Sequence, residues 1–109
     1  MNAKFKINEN ESKEPHFNFV VNGESQGHGE TYASMQMCEK GIAAVRENCK
    51  LVEQYDLRTT KNGKFYFVLK GKNGEIIFTS KFRNTEIERE RGMKLLMEFG
   101  YVAELVVKS

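Results

Sequence analysis

Phe65-Tyr66-Phe67-Val68-Leu69, then Asn73-Gly74-Glu75, then Gly92-Met93-Lys94-Leu95-Leu96 repeats, in order and at nearly equal spacing, what stands earlier in the chain. The earlier copy is Phe17-Asn18-Phe19-Val20-Val21, Asn22-Gly23-Glu24 and Gly41-Ile42-Ala43-Ala44-Val45. An apolar strand-like run, a turn and a helical segment form one supersecondary unit. A unit of roughly 50 residues cannot bury its apolar face alone, so two copies predict mutual packing around one core. Residues 1–54 are assigned to the first unit and residues 55–109 to the second. No flexible linker separates them, and together they are expected to form one compact domain.

The rest of the composition fits that frame. The chain has 109 residues, 39% hydrophobic and 11% aromatic, enough for an ordinary soluble core. No apolar run approaches the roughly 18 residues that cross a bilayer, and Met1-Asn2-Ala3-Lys4 lacks the apolar stretch of a signal peptide. A cytoplasmic protein with no membrane contact is expected. Cys38 and Cys49 would bracket one helix about 16 Å apart, beyond the roughly 7 Å a disulfide tolerates, so each reads as a small apolar side chain. Net charge is +2, unevenly spread: the first unit has six Lys/Arg against eight Asp/Glu, the second eleven against seven. That asymmetry suits one basic face, but not the strongly basic character of a dedicated nucleic-acid domain.

Each unit reads as three strands, a helix and a closing strand. Lys4-Phe5-Lys6-Ile7 alternates with period two, Phe17 to Val21 is a second strand, Asn22-Gly23 a tight hairpin turn, and a third strand returns towards Tyr32. Polar Asn8 to Glu14 is a solvated turn without the glycine and ligand spacing of a calcium loop. Ser34 caps a helix whose Met35, Cys38, Ile42 and Val45 share a face, and Asn48 stops it. Leu51 and Val52 resume extended structure. In the second unit, Lys61-Asn62-Gly63-Lys64 is a turn between Tyr55-Asp56-Leu57-Arg58 and Phe65 to Leu69, and Asn73-Gly74 turns into Ile76-Ile77-Phe78. Thr85 with Glu88 makes a capping box, Ile87, Leu95, Leu96 and Phe99 form the buried side of the helix, and a left-handed Gly100 ends it. Tyr101 to Val107 is the last strand.

The run Gly63 to Leu69, Asn73-Gly74-Glu75-Ile76-Ile77 with Ser80, and Gly92, matched by Phe17, Phe19, Asn22-Gly23-Glu24, Tyr32, Gly41-Ile42 and Val45 in the first copy, resembles the YegP-like family. These are small bacterial proteins built from a repeated domain of unknown function. The resemblance implies an α+β fold of two tandem strand-strand-strand-helix-strand units sharing one antiparallel sheet, with helices packed on it and closing strands exchanged between units. It implies no catalytic or binding residues. The chain departs from the pattern at Ser25-Gln26-Gly27-His28-Gly29-Glu30, where an aliphatic return strand is expected, and at Phe82, one position early relative to Gly92.

A two-residue Asn73-Gly74 turn would place Phe65 opposite Phe82, Phe67 opposite Ser80 and Leu69 opposite Phe78, an apolar surface under a helix. The opposite surface would then carry Lys64 across from Arg83, Tyr66 across from Lys81, and Lys70 beside Ile77. Lys64, Tyr66, Lys70, Lys81 and Arg83 are the candidate nucleic-acid or anion surface, a tyrosine to stack a base and cations to hold phosphates. The alternative is an ordinary solvated sheet face. Gly23, Gly27 and Gly29 are not followed by the Lys and Ser/Thr of a phosphate loop, and glycines inside a strand mark a bulge or a close approach instead. In a regular hairpin about Asn22-Gly23, His28 lies opposite Phe17 and so on the other face from His16, which argues against a metal pair. Cys38 has no cationic activator. No catalytic residue, cofactor site or metal site is assigned. The expected function is a non-enzymatic module in protein interaction or structure, with an unidentified protein partner, monomeric or weakly homodimeric. The second reading is weak nucleic-acid or anion binding around Tyr66.

Overall fold

Alternation of inward apolar and outward polar residues produces the strands, and each helix covers the inward side. The computed structural model describes residues 2–107. In chain order the elements are β1 (Ala3–Glu9), β2 (Pro15–Val21), β3 (Glu24–Thr31), α1 (Met35–Asn48), a 3-10 turn (Val52–Gln54), β4 (Tyr55–Thr59), β5 (Phe65–Lys70), β6 (Ile76–Ser80), α2 (Glu86–Phe99) and β7 (Glu104–Val107). One sheet contains all the strands, in the order β4-β5-β6-β3-β2-β1-β7. It is antiparallel except at its far edge, where β7 runs parallel to β1. The exchange that the resemblance implies is seen for one closing strand: β7 follows α2 but pairs with β1 of the first unit, whereas β4, the first strand of the second unit, pairs with β5 of the same unit.

A single core joins the copies. Phe5, Phe17 and Phe19 from one half and Phe67 and Phe78 from the other are buried together with Ile42 and Val45 of α1 and Leu96 of α2. Phe19 and Phe78 meet edge to face across the junction, centroids 6.4 Å apart. Ser34 Oγ accepts from the Met37 N–H, and Thr85 Oγ1 accepts from the Glu88 N–H. The capping box is only half formed, because the Glu88 carboxylate accepts from the Thr85 hydroxyl instead of its amide.

Several local expectations are corrected. Val52–Gln54 is a 3-10 turn and not an extended strand, so β4 itself is the strand after α1. Gly100 is right-handed, φ −59°; its missing Cβ matters because one would lie 2.6 Å from Leu96 O and 3.3 Å from Cys49 Sγ. The last strand starts at Glu104, three residues late. Ile87 is exposed, not buried, since nine residues from Leu96 amount to about two and a half helical turns and put it on the opposite side.

The hairpin β5–β6 departs from its simple register at both ends. Leu69 pairs with Phe78 as expected, but Lys70 pairs with Ile76 instead of Ile77. Only Gly74 of the Asn73-Gly74 pair is left-handed, and the turn is a longer loop in which Gly71 N–H donates to Glu75 O. At the other end Phe65 bridges to Arg83 instead of Phe82. The chain carries one extra residue between Ser80 and Arg83, and such a bulge reverses every later side chain. Phe82 therefore turns outward, 60% exposed. Arg83 turns inward, where its guanidinium donates at 2.6 Å to Oε1 of the buried Gln26. A buried amide oxygen needs such a donor, which accounts for the exchange.

β3 also bulges, at the residues that break the aliphatic pattern. Val20 pairs with Ser25 but Phe19 with Gly27, leaving Gln26 as the extra residue. Gly27 takes φ +154°, and a Cβ there would overlap the Phe78 ring and the Thr79 carbonyl; one on Gly29 would overlap the Phe17 ring. Large rings from neighbouring strands occupy the space that aliphatic side chains would fill. Gly27→Ala is expected to destabilise by about 2 to 3 kcal/mol, from overpacking and an unfavourable φ. A urea melt showing less than about 0.5 kcal/mol, the scale of surface changes, would remove the close-approach account.

Candidate functional site: the uncovered sheet face

Because both helices cover the face of Phe5, Phe19 and Phe67, the alternate residues form a second face that no described helix covers, with Val68 in it buried. One cross-strand row runs its whole width: Asp56, Val68, Thr79, His28, Asn18, Lys6 and Val106, each opposite the next. Tyr66 lies one step along β5, opposite Arg58, and the outward-turned Phe82 meets its ring edge to face at 5.1 Å. Beside them, at the seam between the repeats, is a groove of about 290 Å³ lined by Ser25, Gly27, His28, Thr79, Lys81 and Phe82.

The five sequence candidates do not converge as a cationic ring. Tyr66, Lys70 and Lys81 belong to the uncovered side. Lys70 Nζ stands 3.7 Å from Asp56 Oδ2 and Lys81 Nζ 3.0 Å from Glu24 Oε2. The Lys81 hydrogen bond, followed by its charge, lowers the pKa of Glu24. Lys64 Nζ donates to Asn84 Oδ1 at the margin. Arg83 is on the covered side with Gln26. The ring of Tyr66 is thus bordered by Phe82 and Arg58, and Arg58 Nε is itself held 3.0 Å from Asp56 Oδ2; that bond, then one to Tyr66, raises its pKa. Pairing about the Lys61 to Lys64 turn alone would set Arg58 opposite Phe67; the observed register is shifted by one residue and sets it opposite Tyr66. The signal for Phe82 is its place one position early relative to Gly92, the offset that an extra residue in the strand produces.

The histidine parity is also corrected. His28 pairs with Asn18 and not Phe17, because of the extra Gln26. His16 and His28 therefore share the uncovered face. His28 Nδ1 lies 2.9 Å from Gly29 O, so the ring carries its proton there and presents Nε2 outward. No group of three or more His, Cys, Asp or Glu side chains comes together as a metal cluster among the described residues. Cys38 is buried in α1, and burial, with Glu39 adding to it, pushes its thiol up to about 11. The thiol form is therefore favoured near neutrality. No helix among the described residues is long and apolar enough to cross a membrane.

Comparison with known proteins places this architecture. A family model described as "Domain of unknown function (DUF1508)" matches twice, over residues 10–56 and 60–106, so the internal repeat is a repeat of a recognised domain. The chain is 42% identical over 85 residues to UPF0339 protein YegP of Escherichia coli strain K12, covering 75% of this chain and 77% of that one. It is 35% identical over 71 residues to UPF0339 protein PA0329 of Pseudomonas aeruginosa, covering 64% of each. Two solution NMR structures are similar throughout. UPF0339 protein SO3888 of Shewanella oneidensis has a TM-score of 0.92 at 28% identity, covering 98% of this chain and 92% of that one. The E. coli yegP structure, described as a protein of unknown function, has a TM-score of 0.91 at 34% identity, covering 99% and 94%.

Proposed function

The chain belongs to the DUF1508 family, and on that premise we propose a non-enzymatic module that binds a protein partner through the uncovered face of its sheet. The observation that carries this is Phe82: an aromatic ring 60% exposed, braced by Tyr66, beside a groove at the seam of the repeats. Protein interfaces are anchored by such aromatics in pockets, with a polar rim around them. Asp56, Arg58, Lys70, Glu24 and Lys81 form a rim of that kind, each charge partnered within the chain. No reaction enters the proposal, because among the described residues no nucleophile, base and orienting group come together around the groove.

A photo-crosslinking side chain at position 82, in the native host, is expected to yield a protein adduct of discrete mass that the same group at Ile87 on α2 does not. Equal labelling from both positions would sink the assignment of the face. The second reading, weak nucleic-acid or anion binding by Lys64, Tyr66, Lys70 and Lys81, draws on Tyr66 and Phe82 as adjacent stacking surfaces, with Lys4 and Lys6 further along the same face. It would displace the first if single-stranded oligonucleotides bound with an affinity falling as salt rises, and lost in Tyr66→Ala. Its weakness is that Lys70 and Lys81 already face carboxylates.

A further inference from the structure

We propose that the free edge of β4 is a self-complementary surface through which two copies of this chain join into one continuous sheet. β4 and β7 are the outermost strands. Which backbone groups of β4 look outward follows from β5. Phe65 exchanges hydrogen bonds with Arg83, and the Phe67 N–H donates to Ser80 Oγ, so these residues direct their backbone groups to β6. Tyr66 and Val68 then face β4 and engage Arg58 and Asp56, because bonding alternates along an antiparallel pair. Tyr55, Leu57 and Thr59 are left aimed away from the sheet. The Tyr55 N–H is taken by Val52 O; those of Leu57 and Thr59 bond to no other segment among the described residues.

The internal repeat shows what is missing there. β1 stands to β2 as β4 stands to β5, with Phe5 opposite Phe19 where Leu57 is opposite Phe67. β7 covers the outer edge of β1, and Phe5 is 0% exposed; no described strand covers β4, and Leu57 is 52% exposed. Open edges with an apolar side chain invite another strand.

The occupant is a second copy because Asp56-Leu57-Arg58 is its own complement. About a two-fold axis at Leu57, two β4 strands run antiparallel, with Leu57 opposite Leu57, Asp56 opposite Arg58 and Arg58 opposite Asp56. The two Leu57 residues exchange N–H···O bonds and each Thr59 N–H reaches a Tyr55 carbonyl, about four bonds in all. On the helix side each Leu57 borders a groove of about 310 Å³ formed with Glu86, Arg89, Glu90 and Met93, room for the other copy's leucine. Arg89, which donates to Arg58 O at 3.0 Å, lies beside that groove and not across the bonding edge. A β4-on-β7 contact would be head-to-tail and would lack the two-fold self-complementarity of Asp56-Leu57-Arg58. So short an edge makes a transient, concentration-dependent dimer.

Sedimentation of the full chain between about 10 μM and about 1 mM, a range spanning weak association, tests this with Asp56→Arg, Arg58→Asp and the double exchange. The wild type should pass from monomer to dimer as concentration rises. Each single reversal opposes like charges twice and should weaken association more than about tenfold, and the double should recover it within about threefold. The intrachain pairs that these changes disturb are on the exposed face and contribute little to folding, which circular dichroism melts will verify. On the wild type alone, the Leu57 and Thr59 amides should exchange more slowly at the higher concentration. A chain monomeric throughout, higher assemblies instead of dimers, single reversals without effect, a folded double variant that fails to recover, or edge amides indifferent to concentration would overturn the proposal.

Discussion

Phe67→Ala should cost about 3 to 5 kcal/mol of folding free energy, the range for truncating a buried aromatic, while Lys70→Ala three residues on should cost under about 0.5. Phe67 is 1% exposed and sits where the elements of the second repeat meet. Its ring lies 5.5 Å from that of Tyr55 and 6.1 Å from that of Phe78, and the backbone of Gly92 brings α2 against its edge, with Cε2 3.6 Å from where a Cβ would stand. Helix, sheet and ring all move if the space is to close, so relaxation recovers little. Lys70, by contrast, projects to the uncovered face with a 3.7 Å ion pair to Asp56, both side chains more than a third exposed, and such pairs contribute little. Urea melts measure both. Similar losses at the two positions would mean that the faces of β5 are reversed.

That assignment of faces was legible because Leu69 does pair with Phe78, although Val68 on the other face is buried as well. Repeats, helix caps and the Asn22-Gly23 turn, with φ of 51° and 82°, are local features, and local features are what a sequence displays. What it concealed depends on a second segment arriving. The bulge at Gln26 exists where Phe78 of the other repeat lies over Gly27, and the slip after Ser80 exists where Arg83 reaches Gln26. Each bulge inserts a single residue, yet one residue reverses a face. By that route Phe82 became a surface aromatic, Arg83 left the candidate site, and His28 joined His16. The site was thus half visible: Tyr66, Lys70 and Lys81 by alternation, but not their acidic partners or the groove beside them.

Residues 55–109 alone should not form a stable folded monomer. They should be unfolded or pair as a homodimer. This half supplies Phe67, Leu69, Phe78, Leu96 and Ala103 to the core, but the larger share, including Phe5, Phe17, Phe19, Ile42 and Val45, comes from the other half. Its β6 would lose β3, and its closing strand β7 would lose β1, the strand it pairs with. β7 also loses the anchor at its start, where Arg46 of α1 donates to Ala103 O at 2.8 Å. Burial of apolar surface is what offsets the entropy of ordering a chain, and a half-length unit with one face of its rings exposed falls short. A second copy of the half could restore the partners, which is why dimerisation is the alternative to unfolding. Sedimentation together with amide exchange separates the outcomes. Sharp protection of β5 and β6 amides in a species that sediments as a monomer would show that the second repeat is a domain in its own right, and that the single core is a convenience of the tandem arrangement instead of its requirement.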